Sequence, residues 1–226
     1  SYSLEALRES LLCVGENPEK YSCHIREDEA KTVHYEDIIG SYLVKLSARK
    51  IGESDSALAA EYLRLIGDFE RIADHSVNVL EAAEEMRRKG IAFSPAAQEE
   101  YAVMADAVRE VTALAYDAYV SGDLSAAEKV EPLEQVIDDL KEELRTRHIR
   151  RMQQGTCGIE AGFIWSDLLN DLERVSDHCS NIACCMIEGI DRSLRRHEVL
   201  QSIRGSGEAF DQIYRFFRGK YMLAGE

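Results

Sequence analysis

The chain has 226 residues and a formal net charge of −15, with 42 acidic against 27 basic side chains. This excess of negative charge argues against binding to nucleic acid or anionic lipid, and it favours cations or a basic partner. No apolar run approaches the roughly 20 residues needed to cross a bilayer. We therefore expect a cytoplasmic protein whose six cysteines are reduced and mostly buried.

The composition, with abundant helix formers and only three prolines, predicts an all-α chain. In chain order, the first expected helix covers 3–14, and a break at Gly15 to Pro18 separates it from a second helix over 19–49. A third helix runs to Lys89, with Ser54 or Asp55 as its cap and Gly90 as its end. Because the chain opens in SLEALRESLL, which already looks helical, we expect the first helix to be truncated.

A helix restart at Ser94-Pro95, with Ser as the cap and Pro at the first helical position, is the predicted domain boundary. It divides the chain into residues 1–93 and 94–226. The second part is expected to contain helices over 95–120, 125–153 and 159–192, and a short amphipathic helix over 208–218. Pro132 predicts a kink or a late start near Glu131. Short connections favour antiparallel neighbours, so the predicted fold is all-α, with six main helices in two tandem three-helix bundles.

One sixteen-residue phrase occurs twice, as LIGDFERIADHSVNVL at 65–80 and as LLNDLERVSDHCSNIA at 168–183. A repeat at about half the chain length indicates a duplicated unit. The matching positions are mainly polar, namely an Asp, a Glu-Arg pair, an Asp-His pair and an Asn, whereas a repeat of packing alone would match mostly at apolar positions. The sequence therefore predicts a repeated site as well as a repeated fold.

Paired carboxylates lie on the polar face of each motif helix. Glu70 and Asp74 are one turn apart, and Glu173 and Asp177 repeat that spacing. Like charges at this spacing destabilise a helix by roughly 0.2–0.5 kcal/mol, and a shared cation would reverse that effect. The alternative is an ordinary solvated acidic face paired with the neighbouring arginines; the repetition of His and Asn weakens that alternative.

A second acidic stripe lies on the fifth predicted helix, at Glu131, Glu134, Asp138 and Glu142. If the fifth and sixth helices are antiparallel neighbours, Glu134 and Asp138 face the second copy of the motif. Four carboxylates would then converge, which is hard to tolerate without metal. At the matching offset in the first half Glu29 corresponds to Glu134, but Val33 takes the place of Asp138. Any site in the first half is therefore expected to be weaker or differently composed.

The phrases FERIADHSVNV and LERVSDHCSNI resemble the signature helix of the PhoU family, which carries an acidic-x-x-x-Asp motif in each of two three-helix bundles. SYLVKLS at 41–47 and CGIEAGFIWSDLLNDLERVSDHCSNIA at 157–183 are similar to the PhoU-like cytoplasmic domain of bacterial sodium/phosphate cotransporter family proteins. The resemblance implies a regulator of phosphate uptake at the inner face of the plasma membrane. Its expected partner is the membrane-embedded portion of a phosphate transporter.

The resemblance also implies metal clusters, with iron or zinc as the expected ions. The ligands it implies in this sequence are Glu70, Asp74, Glu134, Asp138, Glu173 and Asp177. The secondary candidates are Glu29, His75, Asn78, His178 and Asn181.

Two other classes of function compete with a regulator. A di-iron oxidase needs Glu-x-x-His motifs, but no Glu precedes any of the six histidines by three residues, and neither a phosphate loop nor a nucleophile elbow occurs. The chain is therefore not predicted to be an enzyme. The other alternative is a metal-free interaction bundle, in which Phe210, Tyr214 and Phe217 either seal the bundle or form a homodimer. A basic cluster at 192–197 is expected to be a solvated helix end.

Overall fold

The computed structural model describes residues 1–49, 51–190 and 207–224, and their regular structure is entirely helical. A single 3₁₀ turn, Pro18–Lys20, precedes the second helix. The α-helices are α1 Tyr2–Cys13, α2 Ser22–Ser47, α3 Glu53–Lys89, α4 Pro95–Ser121, α5 Leu124–Ala127, α6 Val130–Gln153, α7 Ile159–Ile190 and α8 Glu208–Lys220. The predicted fold class, two three-helix bundles in an all-α chain, is confirmed.

Most helix ends follow the sequence signals. Ser94 caps α4 by accepting a hydrogen bond from the Ala97 N–H at 3.3 Å, with Pro95 at the first helical position. Gly90 ends α3 with φ of 65°, the left-handed region that glycine adopts without steric cost. The expected cap of α3 was wrong: the helix begins one residue earlier than Ser54, after Gly52, and no side chain caps it.

The fifth predicted helix is two elements. The one-turn helix α5 ends at Ala127, and α6 begins at Val130. Pro132 is therefore the third residue of α6, where its missing N–H has no partner within the helix to lose. The late start near Glu131 that the sequence predicts is confirmed, and the kink is not needed.

Helices α1, α2 and α3 pack together in the first half, and α4, α6 and α7 pack together in the second. The two long motif helices, α3 and α7, also pack against each other and join the halves. Ile72 and Val79 of α3 and Leu172 and Val175 of α7 are fully buried in one apolar core. Burial of each such aliphatic side chain stabilises the fold by about 1.5–3 kcal/mol. The polar residues of the two motif helices therefore lie at the contact between α3 and α7 or next to it.

The tail helix α8 lies on α6. Phe217 is buried, Phe210 and Tyr214 are half-buried, and Phe216 is exposed. Tyr214 donates a hydrogen bond to Asp139 of α6. Of the two roles considered for the tail aromatics, these contacts support sealing of the bundle. The basic cluster at 192–197 lies outside the described residues.

The six cysteines all lie in the described part of the chain, and none of them is joined in a disulfide there. Cys13, Cys179, Cys184 and Cys185 are buried, while Cys157 is half-buried and Cys23 exposed. The expectation that most of the thiols are buried is confirmed. Across 1–49, 51–190 and 207–224, no helix is both long enough and apolar enough to cross a membrane.

Candidate functional site

The motif histidine and asparagine of each repeat reach across to the other repeat. His75 and Asn78 of α3 both donate hydrogen bonds to Asp171 of α7. The His75 Nδ1 to Asp171 Oδ1 distance is 2.9 Å, and the Asn78 Nδ2 to Asp171 Oδ1 distance is 3.0 Å. Both donors converge on one carboxylate oxygen, and hydrogen bonds to a charged acceptor are stronger than neutral ones.

The second copy makes the same contacts in reverse. His178 and Asn181 of α7 donate to Asp68 Oδ1 of α3, again at 2.9 and 3.0 Å. The two imidazole rings stack between the helices, with centroids 5.7 Å apart and planes inclined by 29°. We call this set, Asp68, His75 and Asn78 with Asp171, His178 and Asn181, the interlock.

The interlock gives the repeated polar phrase a structural role that sequence reasoning missed. His75, Asn78, His178 and Asn181 were secondary metal candidates, and the structure engages one nitrogen of each in a hydrogen bond between the repeats. The first Asp of each copy was visible in the repeat and received no role. The presence of an Asp at the same position of both copies could have indicated a contact between the copies, because a self-complementary contact uses the same residue from each side.

The second acidic face comprises the predicted residues Glu134, Asp138, Glu173 and Asp177. The packing of α6 on α7 brings Asp138 close to Glu173 and Asp177. Burial, and then the nearby charges of Glu173 and Asp177, raise the pKa of Asp138 to about 6. Burial and Glu173 likewise raise the pKa of Asp177. One oxygen of Asp138 is buried, and no described residue donates a hydrogen bond to it. Negative charge is therefore crowded and incompletely compensated at this face.

A lysine that the sequence analysis did not consider lies within the second acidic face. Lys141 Nζ is 3.2 Å from Glu173 Oε2, and both side chains are less than one-fifth exposed. The Lys141 charge also lowers the pKa of Asp138 and of Asp177, against the larger effect of burial. Lys141 is one turn beyond Asp138 on α6, so a positively charged side chain follows Glu134 and Asp138 on the same side of the helix. The face thus contains its own counter-ion.

The first acidic face comprises Glu29 and Glu36 of α2 with Glu70 and Asp74 of α3. Burial and the charge of Asp74 raise the pKa of Glu29. Burial, Asp74 and Glu36 raise the pKa of Glu70, which also shares a hydrogen bond with Asp74. The structure therefore brings Glu29 close to Asp74 and Glu36 close to Glu70. When the two halves are aligned so that Glu29 matches Glu134, Glu36 matches Lys141.

Both faces offer donors that suit a hard or borderline cation, since carboxylate oxygens are the ligands such ions take. Asp138 has a buried oxygen atom that receives no hydrogen bond from the described residues. Such an oxygen atom is expected at a cation site when the cation is absent. The described side chains do not, however, place three of His, Cys, Asp or Glu around one point at ligand distance. The donor chemistry fits a cation, and binding would require these carboxylates to reorient.

The comparisons with known proteins agree with this architecture. The family described as "PhoU domain" matches residues 1–83 and 102–186, which is most of the chain. The chain belongs to the PhoU family. Each match contains one copy of the repeated phrase, so the duplication seen in the sequence is a duplication of the PhoU domain.

Two relatives show how far the similarity extends. The chain is 27% identical, over 149 residues, to the phosphate-specific transport system accessory protein PhoU homolog 1 of Thermotoga maritima; the aligned part covers 66% of this chain and 63% of the relative. PhoU from Pseudomonas aeruginosa, known from its crystal structure, superposes with a TM-score of 0.77 at 21% identity, over 84% of this chain and 91% of that one. The second likeness shows the fold.

The name of the Thermotoga relative describes an accessory protein of a transport system, not an enzyme. This agrees with the prediction that the present chain is not an enzyme. Neither relative is named as a domain of a sodium/phosphate cotransporter, so that narrower resemblance stays a prediction. The relatives' names say nothing of metal, and the proposed ligands stay predictions as well.

Proposed function

We propose that this protein is a cytoplasmic regulator of phosphate uptake that acts by contact with a sodium-dependent phosphate transporter at the inner face of the plasma membrane. The observation that carries the proposal is the doubled PhoU domain with one copy of the acidic motif in each half. The accessory role named for the Thermotoga relative supports it. The chain spans under two-thirds of that relative's length, so the partner is part of the proposal.

An exposed apolar stripe on α2 supports action by protein contact. Tyr35, Ile38, Ile39 and Tyr42 recur at helical spacing, and between 39% and 64% of each residue is exposed. We call these four residues the α2 stripe. A row of apolar residues with the period of one helix face is typical of helices that dock against a partner. The sequence analysis missed this stripe, although its spacing of three, four and seven residues was readable.

Metal ions are the second part of the proposal. Glu70 and Asp74, with Glu29 and Glu36, would hold ions in the first half. Glu134, Asp138, Glu173 and Asp177 would hold them in the second. A bound iron or zinc ion would supply positive charge that offsets the repulsion among these carboxylates. The residues themselves position the motif helices against α2 and α6, so ion occupancy would change how firmly each helix pair is held.

Transport assays test the protein-contact proposal. The chain is co-expressed with the sodium-dependent phosphate transporter of its source organism, and phosphate uptake is measured in sodium and in potassium medium. We expect co-purification with the transporter and altered sodium-dependent uptake, both lost in Ile38→Asp/Tyr42→Asp. Val120→Asp, which changes an isolated exposed apolar residue of α4, is the matched control. No co-purification and unchanged uptake would refute the proposal.

Elemental analysis tests the metal proposal. Protein purified without an affinity metal column is compared with Glu173→Ala/Asp177→Ala and with Glu81→Ala/Glu85→Ala. The control pair has the same spacing and charge change on α3 but bonds to Arg26 and Lys89. We expect near-stoichiometric iron or zinc that falls only in the motif variant. Absence of metal after reloading would favour the metal-free interaction bundle, which the ion pair of Lys141 with Glu173 already supports as the second candidate.

A further inference from the structure

A cluster of soft donor atoms lies at the turn between α6 and α7, away from both acidic faces. His148 and Met152 are one helical turn apart on α6, and Cys157 follows after α6 ends at Gln153. The Cys157 Sγ to His148 Nε2 distance is 3.6 Å. The Cys157 thiol also lies 3.6 Å from the Gly158 carbonyl oxygen.

The thioether of Met152 borders the same space as the imidazole. A Cβ placed on Gly162, in the first turn of α7, would lie 2.9 Å from Met152 Sδ and 3.2 Å from His148 Nε2. Both atoms therefore point at the surface that this glycine leaves bare. Any larger residue at position 162 would fill the space between the sulfur and the nitrogen.

We propose that Cys157, His148 and Met152 form a binding site for a soft metal ion, specifically Cu(I). A thiolate, a thioether and an imidazole are the donors that Cu(I) prefers, and the thioether in particular favours it over Zn²⁺. A sulfur and a nitrogen that share one tetrahedral ion, with bonds of about 2.3 and 2.0 Å, lie about 3.6 Å apart. The observed Sγ to Nε2 distance of 3.6 Å is therefore the separation expected for two donors to one such ion.

The surroundings suit such an ion. His148 is 4% exposed, and its ring stacks on Trp165 with centroids 5.6 Å apart, which fixes the imidazole plane. Cys157 and Met152 are both half-buried, so an ion can reach the two sulfur atoms from solvent while the imidazole stays buried. This site does not depend on the transporter proposal, because none of its residues belongs to the acidic faces or to the α2 stripe.

Competition with a coloured chelator tests the site. The full chain is titrated anaerobically into Cu(I)–bicinchoninate, and loss of the complex's colour reports transfer of copper to the protein. We expect transfer of one Cu(I) per chain. Cys157→Ser should weaken binding by at least about 100-fold, since loss of an outer-shell partner alone costs 10–100-fold. Met152→Leu should weaken it by at least about tenfold at nearly constant side-chain volume.

The control is Cys23→Ser, which removes an exposed thiol that has no imidazole partner and should leave Cu(I) affinity unchanged. Thermal melts of each variant establish that it is folded. The site would be refuted by absence of copper transfer, by equal effects of the Cys23 and Cys157 variants, or by binding of Zn²⁺ in place of Cu(I). In the first two cases the contact of Cys157 with His148 is only a hydrogen bond, and in the third the site holds a different ion.

Discussion

The two halves of this protein are alike at the interlock and unlike at the acidic faces. Each half gives one Asp, one His and one Asn to the interlock, and the two sets of distances agree. At the acidic faces the motif pair Glu-x-x-x-Asp is the same, but the facing helix is not. Val33 and Glu36 of α2 stand where α6 has Asp138 and Lys141.

The difference shows what a duplicated helix can and cannot retain. A contact between the two copies constrains the sequences of both, because the residues of each copy contact the equivalent residues of the other. A contact between a motif helix and its bundle partner constrains one copy only, so the two faces are free to differ. Lys141 provides an internal counter-ion in the second half, whereas the first half has Glu36 there and gathers four carboxylates.

The interlock should have the largest effect on stability. We expect Asp68→Ala and Asp171→Ala each to lower the free energy of unfolding by about 2 kcal/mol, since each leaves two donors without their charged acceptor. The two values should agree within about 0.5 kcal/mol, and urea denaturation measures both. The control Asp167→Ala, at an exposed position one turn earlier on α7, should cost under about 0.5 kcal/mol. Clearly unequal costs would contradict a symmetric interlock.

Removal of the internal counter-ion should have the next largest effect. Lys141→Met should lower the free energy of unfolding by about 1–2 kcal/mol at neutral pH, because the largely buried Glu173 keeps only the more distant Arg174 as an ion partner. The same variant should bind iron or zinc more tightly, since Lys141 no longer competes for Glu173. Urea titrations with and without metal measure both effects. Lys45→Met, at an exposed site of α2, is the control; an equal response of the two variants would count against this role.

The raised pKa of Asp138 predicts a pH-dependent gain in a neutral variant. Because the folded-state pKa of about 6 lies above the ordinary value of 3.8, the folded state binds the proton more tightly, and stability is lost as pH rises through 6. Asp138→Asn should therefore be more stable than the natural chain above pH 6, by about 1–2 kcal/mol, and equal to it below pH 4.

Thermal melts from pH 4 to pH 8 in the presence of a chelator measure this difference. Asp37→Asn, an exposed position on α2, removes the same charge and should show no such dependence on pH. A gain for Asp138→Asn that persists at pH 4 would mean that shape, not charge, sets the effect.

Much of this architecture was predictable because its signals are local. Ser94-Pro95, Gly90 and Gly122 mark helix ends through their own backbone preferences, and the duplicated phrase marks the two bundles. The approach of Asp138 to the second motif followed from helix period and antiparallel packing alone. The cap at Gly52 escaped because the sequence offered polar candidates nearby that the structure leaves within the helix.

The interlock was not predictable from the same signals. It depends on how α3 packs against α7, a contact between residues about one hundred positions apart that no local pattern encodes. The identical polar residues indicated that the repeat had a function beyond packing. Ligand binding was the simplest interpretation, because the sequence of one motif helix does not show which helix packs against it. Lys141 escaped for a simpler reason: the acidic stripe was followed from Asp138 to Glu142, and the basic residue between them was not considered.

The smallest expected effect comes from making the first acidic face resemble the second. Glu36→Lys puts a cation where α6 has Lys141 and removes a charge that raises the pKa of Glu70. It should raise the free energy of unfolding by about 0.5 kcal/mol, the usual contribution of a partly exposed ion pair. Asp37→Lys makes the same change of charge at the adjacent exposed position. The difference in unfolding free energy between the two variants, measured by urea denaturation, gives the contribution of the interaction with the first acidic face. If Glu36→Lys also weakens metal binding in the first half while Asp37→Lys does not, the residue at this position determines whether a PhoU half holds an external or an internal cation. Equal behaviour of the two variants would restrict that role to the second half.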